Sequence, residues 1–393
     1  MKDVLVVCPQ QRDLQAIEAA GLGGRYRIHY AGADLDSVDD FDAAAFVEAC
    51  DSIPADGVIG TKDRSALLAS LIAERRGLPG PRPQAVISCQ FKLTARALQR
   101  ASAPFATPRF ALLDGRPPFG PPFFVKPVVG RLSQRARRID DPAELALLED
   151  VDAYMTGYAG IAALAGLHPD AVRGFIAEEL LVGDEVTLEG YVHAGEVTVI
   201  GVTDSVKYPG TNSFERFEFP SAHPPERQAE LVETVSRVLP ALGFDGGFFN
   251  AEFFVPAEGP ARIIEVNGRI SSQFRPLVEA VHGRSTYDAL FRLACGEDPR
   301  WQPGEARGVA VAYIRRVFED AHVLGIPGQA DDLEVFVSPG RRLSEQGTND
   351  AQSYRLCSAF AWARTRAEAV ARARGRARAL PFRFEPVAPT EPT

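Results

Sequence analysis

Lysine is nearly missing from this chain: Lys2, Lys62, Lys92, Lys126 and Lys207 stand against thirty-eight arginines among 43 basic residues. Lysine is a compact point charge and arginine a planar fork, so the two are not interchangeable in a tight site. Cysteine is also sparse. Cys8, Cys50, Cys89, Cys295 and Cys357 are odd in number and far apart, with no C-x-x-C pair. That excludes a disulfide framework and reads as reduced, mostly buried thiols in a cytoplasmic protein. The six histidines show no H-E-x-x-H or H-x-H spacing, which argues against a zinc enzyme. Long apolar runs are lacking too. The longest uncharged stretch, 153–169, is interrupted by Gly157, Gly160 and Gly166, so no membrane span is expected. The N-terminus has one basic residue before a five-residue apolar run, so no signal peptide is expected. The opening strand is not followed by G-x-G-x-x-G, which leaves a dinucleotide domain little support. A net charge of −9 argues against general nucleic-acid binding.

What remains is a globular chain of 393 residues, 46% hydrophobic, long enough for two or three domains. Strand-like Val4–Val7 and Gly57–Gly60 alternate with helical patterns at 12–20 and 65–76, which predicts a small parallel α/β domain over 1–88. The Pro/Gly-rich stretch 77–83 reads as a connector. A helix is expected over 89–101, carrying Lys92, then strands at 109–113, 123–127 and 136–139 and a helix starting at Pro142. Strand signals dominate from Gly174, at 175–181, 185–192, 196–202, 247–255 and 261–266, with a helix at 225–239. A helix at 286–293, strands at 308–314 and 333–337, and an Arg-rich helix at 365–380 complete the expectation.

The richest stretch is Phe248-Phe-Asn-Ala-Glu-Phe-Phe-Val followed by Ala261-Arg-Ile-Ile-Glu-Val-Asn-Gly-Arg. Glu252 lies on one strand; Glu265 and Asn267 lie two apart on the next, hence on one face. Burying carboxylates among such apolar neighbours costs several kcal/mol unless a cation pairs with them. A hard divalent ion with oxygen ligands suits Glu, Glu and Asn together. A hairpin with one wet face would account for these three residues alone equally well.

The pattern E-x12-E-x-N-x-R resembles the metal motif of the ATP-grasp ligases, and three upstream features add to the resemblance. Lys92 comes early in the central region. Lys126-Pro127 ends a strand before Gly130 and Ser133. Glu178-Glu-Leu-Leu-Val-Gly-Asp-Glu185 fits a hinge of the form E-E-Φ-Φ-x-G-x-E. The resemblance implies an ATP-grasp fold of class α/β, α+β in the ligase core. Its parts would be an N-terminal parallel α/β domain (1–88), a linker helix and small lid subdomain (89–180), and a C-terminal antiparallel-sheet domain (181–393) carrying the metal site. It further implies Lys92 and Lys126 on the α- and β-phosphates, the backbone around Gly130–Ser133 on the β/γ end, and Lys207 on the γ-phosphate. Glu178 and the main chain of Glu179 to Leu181 would read adenine, and Glu185 the ribose. Glu252, Glu265 and Asn267 would hold Mg²⁺, or Mn²⁺ in its place. Arg269 would hold a carboxylate or the phosphoryl group in flight.

Two departures stand out. The phosphate loop is poor in glycine, with Arg131 and Gln134, and Asn267-Gly-Arg269 is followed by Ile270-Ser-Ser-Gln rather than a glycine pair. The amino-acid-ligase and carnosine-synthase-like branch is the one this chain resembles most. It implies an ATP-dependent ligase joining a small carboxylate to an amine through an acyl phosphate, with no nucleic-acid or membrane partner and with homodimers among the relatives' states. The alternatives are a carboxylating or phosphorylating enzyme of the biotin-carboxylase type and a catalytically silent nucleotide-binding module.

Overall fold

A computed structural model describes the chain apart from residues 36–40, 117, 131–134, 149–151, 169–170, 172–173, 303–305, 347–349, 351–352 and 388–393, and gives only the backbone of 152–157. Near the N-terminus, Lys2–Val7 runs parallel to both Tyr26–Ala31 and Gly57–Ile59 in a three-stranded sheet. Val4 to Val7 are buried, as expected of a parallel strand covered on both faces. The helix Asp63–Arg76 follows the third strand and stops at Gly77, whose φ of 63° is the left-handed C-cap conformation glycine adopts without strain.

The helix expected over 89–101 is two helices, Pro83–Gln90 and Lys92–Ser102. Phe91 between them is extended, with φ −87° and ψ 97°, and its ring is buried. Burial of that ring outweighs local helix propensity, and Lys92 thereby becomes the first residue of a helix. Its backbone N–H donates to Val128 O at 2.9 Å, fastening the helix start to the next sheet.

That next sheet has four antiparallel strands in the order Phe110–Leu112, Phe175–Glu179, Phe123–Pro127, Arg137–Ile139. The stretch beginning at Pro142 forms a 3₁₀ turn, Pro142–Leu147, rather than an α-helix. The largest sheet has eight antiparallel strands. From one edge they are Arg262–Asn267, Gly247–Val255, Asp184–His193, Glu196–Lys207, Phe214–Phe219, Val309–Val317, Tyr354–Ala363 and Leu333–Val335.

At the first edge, Val186, Leu188, Ala251, Phe253 and Val266 join a core with Leu231, Val235, Val238 and Leu239 of the helix Pro225–Ala241. The alternate residues of the same strands face the other way. Gly183, at φ 138°, makes the turn from the small sheet into the large one, and a Cβ there would lie 2.6 Å from the Val255 carbonyl group. The strands Tyr26–Ala31, Phe214–Phe219 and Tyr354–Ala363 and the helix Asp152–Leu164 are not signalled by simple apolar alternation. Phe214–Phe219, for example, buries Glu218 by pairing it with Arg216 and Arg366. Among the described residues, no helix is long and apolar enough to cross a membrane.

Candidate active site

In an antiparallel pair, directly opposed residues share a face. Glu252 is opposite Glu265 on one side and Thr187 on the other, and Asn250 is likewise opposite Asn267 and Glu189. Two polar rows thus cross three strands on the face turned away from the helix Pro225–Ala241. Glu185 lies one step further along the same face. Burial, reinforced by the charges of Glu265 and Glu185, holds the Glu252 carboxyl well above its usual range.

Among the described residues no three His, Cys, Asp or Glu side chains converge as a metal cluster. The candidate ligands are two carboxylates and an amide. The Asn267 amide nitrogen donates to Asn250 Oδ1 at 3.0 Å and to Glu265 Oε1 at 3.2 Å, so its carbonyl oxygen is the atom left to face a cation. Crowded acids plus an amide oxygen fit Mg²⁺ chemistry.

The small sheet and its neighbouring helix bring lysines to this edge. Lys92 Nζ donates to Gly130 O at 3.2 Å and lies 3.9 Å from Glu265. Lys126 Nζ pairs with Glu178 at 2.9 Å and donates to Ile264 O at 3.2 Å. Burial pulls the Lys126 ammonium down to about 8, with Glu178 opposing. The register between Glu252–Phe253 and Glu265–Ile263 slips by one residue, and Ile264 is the extra residue of that bulge. Its carbonyl also accepts from Arg96 at 2.6 Å.

Glu178 is held inside the fold. Its carboxylate is buried and clasped by Arg96, at 2.7 Å, and by Lys126. Burial pushes its pKa up, but the two cations outweigh it and hold the group at about 2. Removing one member of such a buried pair costs about 3–5 kcal/mol. In this structure its carboxylate is engaged by Arg96 and Lys126. Glu179 points outward to Arg109, at 3.1 Å, and to Arg262. Leu181 lies in the segment just before Gly183.

Lys207, at the end of its strand, pairs with Glu185 at 2.8 Å, and its ammonium lies 5.1 Å from the centre of the Phe254 ring. Arg269 lies past the end of its strand rather than on it. Its Nε donates to Asp63 Oδ1 at 2.6 Å, across to the helix that follows the parallel sheet. Ser133 falls outside the described residues, as do Arg131 and Gln134. The structure therefore gathers Glu252, Glu265, Asn267, Lys92, Lys126 and Glu178 at one edge, with Glu185 and Lys207 one row along and Arg269 at the strand end.

Sequence reasoning missed Asp63, Arg96, Asn250 and Glu189. For Glu189 and Asn250 a signal existed, since each lies an even number of residues from an assigned acid on its own strand. For Asp63 and Arg96 there was none, because their partners lie 206 and 82 residues away.

Residues 119–275 match the model of the ATP-grasp domain. Over that span, less than half of the chain, the sequence is similar to the ATP-grasp family. The matched span holds Lys126, the hinge 178–185, Lys207 and the whole metal motif. Mouse carnosine synthase 1 is 26% identical over 167 residues, 42% of this chain and 20% of that protein. The chicken protein is 37% identical over 81 residues, 20% of this chain and 9% of that protein. The chain thus matches only a fifth or less of these relatives' length. Among solved structures, the L-amino acid ligase of Bacillus licheniformis superposes with a TM-score of 0.79 at 20% identity, covering 98% of this chain and 99% of that one. Phosphoribosylglycinamide synthetase of Anaerococcus prevotii gives 0.68 at 16% identity over 98% and 100%. Campylobacter jejuni biotin carboxylase gives 0.66 at 15% over 98% and 92%. The ATP-grasp fold thus extends over nearly the whole chain, and its antiparallel sheets and parallel N-terminal sheet agree with the expected fold class.

Proposed function

We propose that this protein is an ATP- and Mg²⁺-dependent carboxylate–amine ligase, forming an amide or peptide bond on an amino acid or small carboxylic acid through an acyl phosphate. The observation that supports this most is the opposed, half-buried pair Glu252 and Glu265 beside Asn267, with Lys92 and Lys126 brought against it from the lid side. The reading takes 1–88, 89–180 and 181–393 as the working units of the chain.

In this reading Glu252, Glu265 and the Asn267 carbonyl oxygen hold Mg²⁺, which when bound offsets phosphate charge and acts as a Lewis acid. Lys126 and Lys92 bind the α- and β-phosphates as compact cations, and Glu178 with Arg96 orients Lys126. Lys207 exchanges Glu185 for the γ-phosphate, which leaves Glu185 to accept from ribose hydroxyls. Main-chain groups of Glu179 to Leu181 read the adenine edge, and Ser133 belongs to the loop over the phosphates. Arg269 exchanges Asp63 for the substrate carboxylate or the transferring phosphoryl group. The carboxylate oxygen attacks the γ-phosphorus and ADP leaves with the broken P–O pair. An amine nitrogen then forms the C–N bond, loses a proton, and phosphate leaves with the C–O pair. Catalysis of this kind rests on positioning and preorganised charge.

The test is ADP release with a panel of amino acids, singly and in pairs, with hydroxylamine present to trap an acyl phosphate as a hydroxamate. Hydroxamate that depends on one carboxylate is the expected result. ATP turnover stimulated by bicarbonate and by no organic acid would replace the ligase reading with a carboxylating one.

A further inference from the structure

Glu189 takes no part in the steps above, yet it lies on the same face as Glu185, Glu252 and Glu265, opposite Asn250 in the row that ends at Asn267. It is 3% exposed. One carboxylate oxygen accepts from the Ser271 N–H at 2.5 Å, while Oε2 is enclosed and has no hydrogen-bond partner among the described residues. The nearby donors have other partners. The Asn250 amide donates to Arg269 O at 3.1 Å and its oxygen accepts from Asn267. Arg269, whose charge acts on Glu189, gives its Nε to Asp63.

Beyond Glu189 the face becomes apolar. Tyr191, Phe248, Ile270 and Phe274 pack in one cluster with Phe219, and the Phe219 ring covers Gly201, the residue opposite Glu189, where a Cβ would lie 2.5 Å from it. Glu189 thus stands at the border between the row of carboxylates and an apolar floor. A buried acceptor without a donor costs about 1–3 kcal/mol, and burial pushes this carboxyl up to about 8. Among the described residues no group donates to Oε2, so either the carboxyl's own proton or the N–H of a bound cation satisfies it.

We propose that Glu189 is a subsite for a primary ammonium group of a substrate, an amino acid's amino group held between the Asn250–Asn267 row and the Arg269–Ser271 turn. One available oxygen suits a compact donor. A guanidinium would call for two acceptors side by side, and a divalent ion for several oxygens. The ammonium belongs either to the acid that is phosphorylated or to the amine that attacks. The subsite rests on the ligase reading and extends it to substrate class.

Two assays on the full chain separate these sources. In the first, hydroxamate formation is measured with alanine against propionate and with phenylalanine against hydrocinnamate. In the second, amide formation is measured with the amine varied at saturating acid. Wild-type protein is expected to prefer the ammonium-bearing acid, or to bind the amine more tightly, by about thirtyfold, the size of one charge-assisted hydrogen bond. Glu189→Gln keeps the acceptor for Ser271 and is expected to erase that preference in one assay while leaving the ATP KM unchanged. Glu189→Asp, which keeps the charge, restores part of it and serves as the readout if the glutamine variant melts early. Preference retained in both assays, or equal loss on acids with and without the amino group, would overturn the subsite. A wild-type protein that yields no hydroxamate from any acid fails the ligase reading, before any variant is compared, and the subsite falls with it.

Discussion

The two halves of the eight-stranded sheet handle charge in opposite ways. In the half made by Phe214–Phe219, Val309–Val317, Tyr354–Ala363 and Leu333–Val335, charged groups pair within the fold. Arg216 holds Glu215 and Glu218, Arg366 holds Glu218 and Asp204, Arg374 holds Glu215, and Arg316 holds Asp350. In the other half, Glu252 crowds Glu265, Glu189 keeps one oxygen without a partner among the described residues, and lysines join arginines as the cations around the acids. Arginine's fork closes networks that stabilise the fold. Lysine's single point can let go of one anion and take another. Under the proposed function, the difference separates a half built for stability from one left incomplete for a ligand.

The sharpest way to break the comparison is Glu265→Gln. Removing one of two opposed acids is expected to lower carboxylate-dependent ADP release by about a thousandfold, in line with the loss of a major electrostatic contact. Relief of like-charge crowding should leave the melting temperature equal or higher. Retained turnover would make the acid pair a structural oddity.

A smaller effect concerns Lys126. Its ammonium titrates near 8 because it is buried, and bound phosphates would favour the charged form. ATP binding therefore takes up a proton above that value, and ATP affinity should fall as pH rises through about 8. The expected weakening is roughly tenfold from about pH 7 to about pH 9, of the size of one lost charged contact. Equilibrium binding of ATP checks it, and Lys126→Arg should flatten the profile. The smallest effect belongs to the arginine half. Arg376→Ala removes an exposed pair with Asp332, so neither melting temperature nor turnover should move.

The acid pair was legible because strand periodicity puts Glu265 and Asn267 on one face, and the lysines because their rarity marked them. The partner of Glu178 was hidden for a physical reason: in one dimension an acid in a hinge looks available, whereas here Arg96 reaches it from 82 residues upstream. The two-helix break at Phe91 was hidden as well, since only the core that receives its ring reveals why the helix stops there. The partner of Arg269 was hidden too, because the strand ends at Asn267 and the side chain turns to Asp63 in a distant helix.

The bulge at Ile264 links the parts mechanically. Because that residue is extra in the ladder, its carbonyl is left to bridge Lys126, from the small sheet, and Arg96, from the helix beside it. The strand carrying Glu265 is therefore tethered to the lysine that would grip ATP. A lid movement that lifts Lys126 must stretch that tether or pull the edge strand with it. Under the proposed function, nucleotide capture and the spacing of the acid pair would be coupled through that single peptide carbonyl.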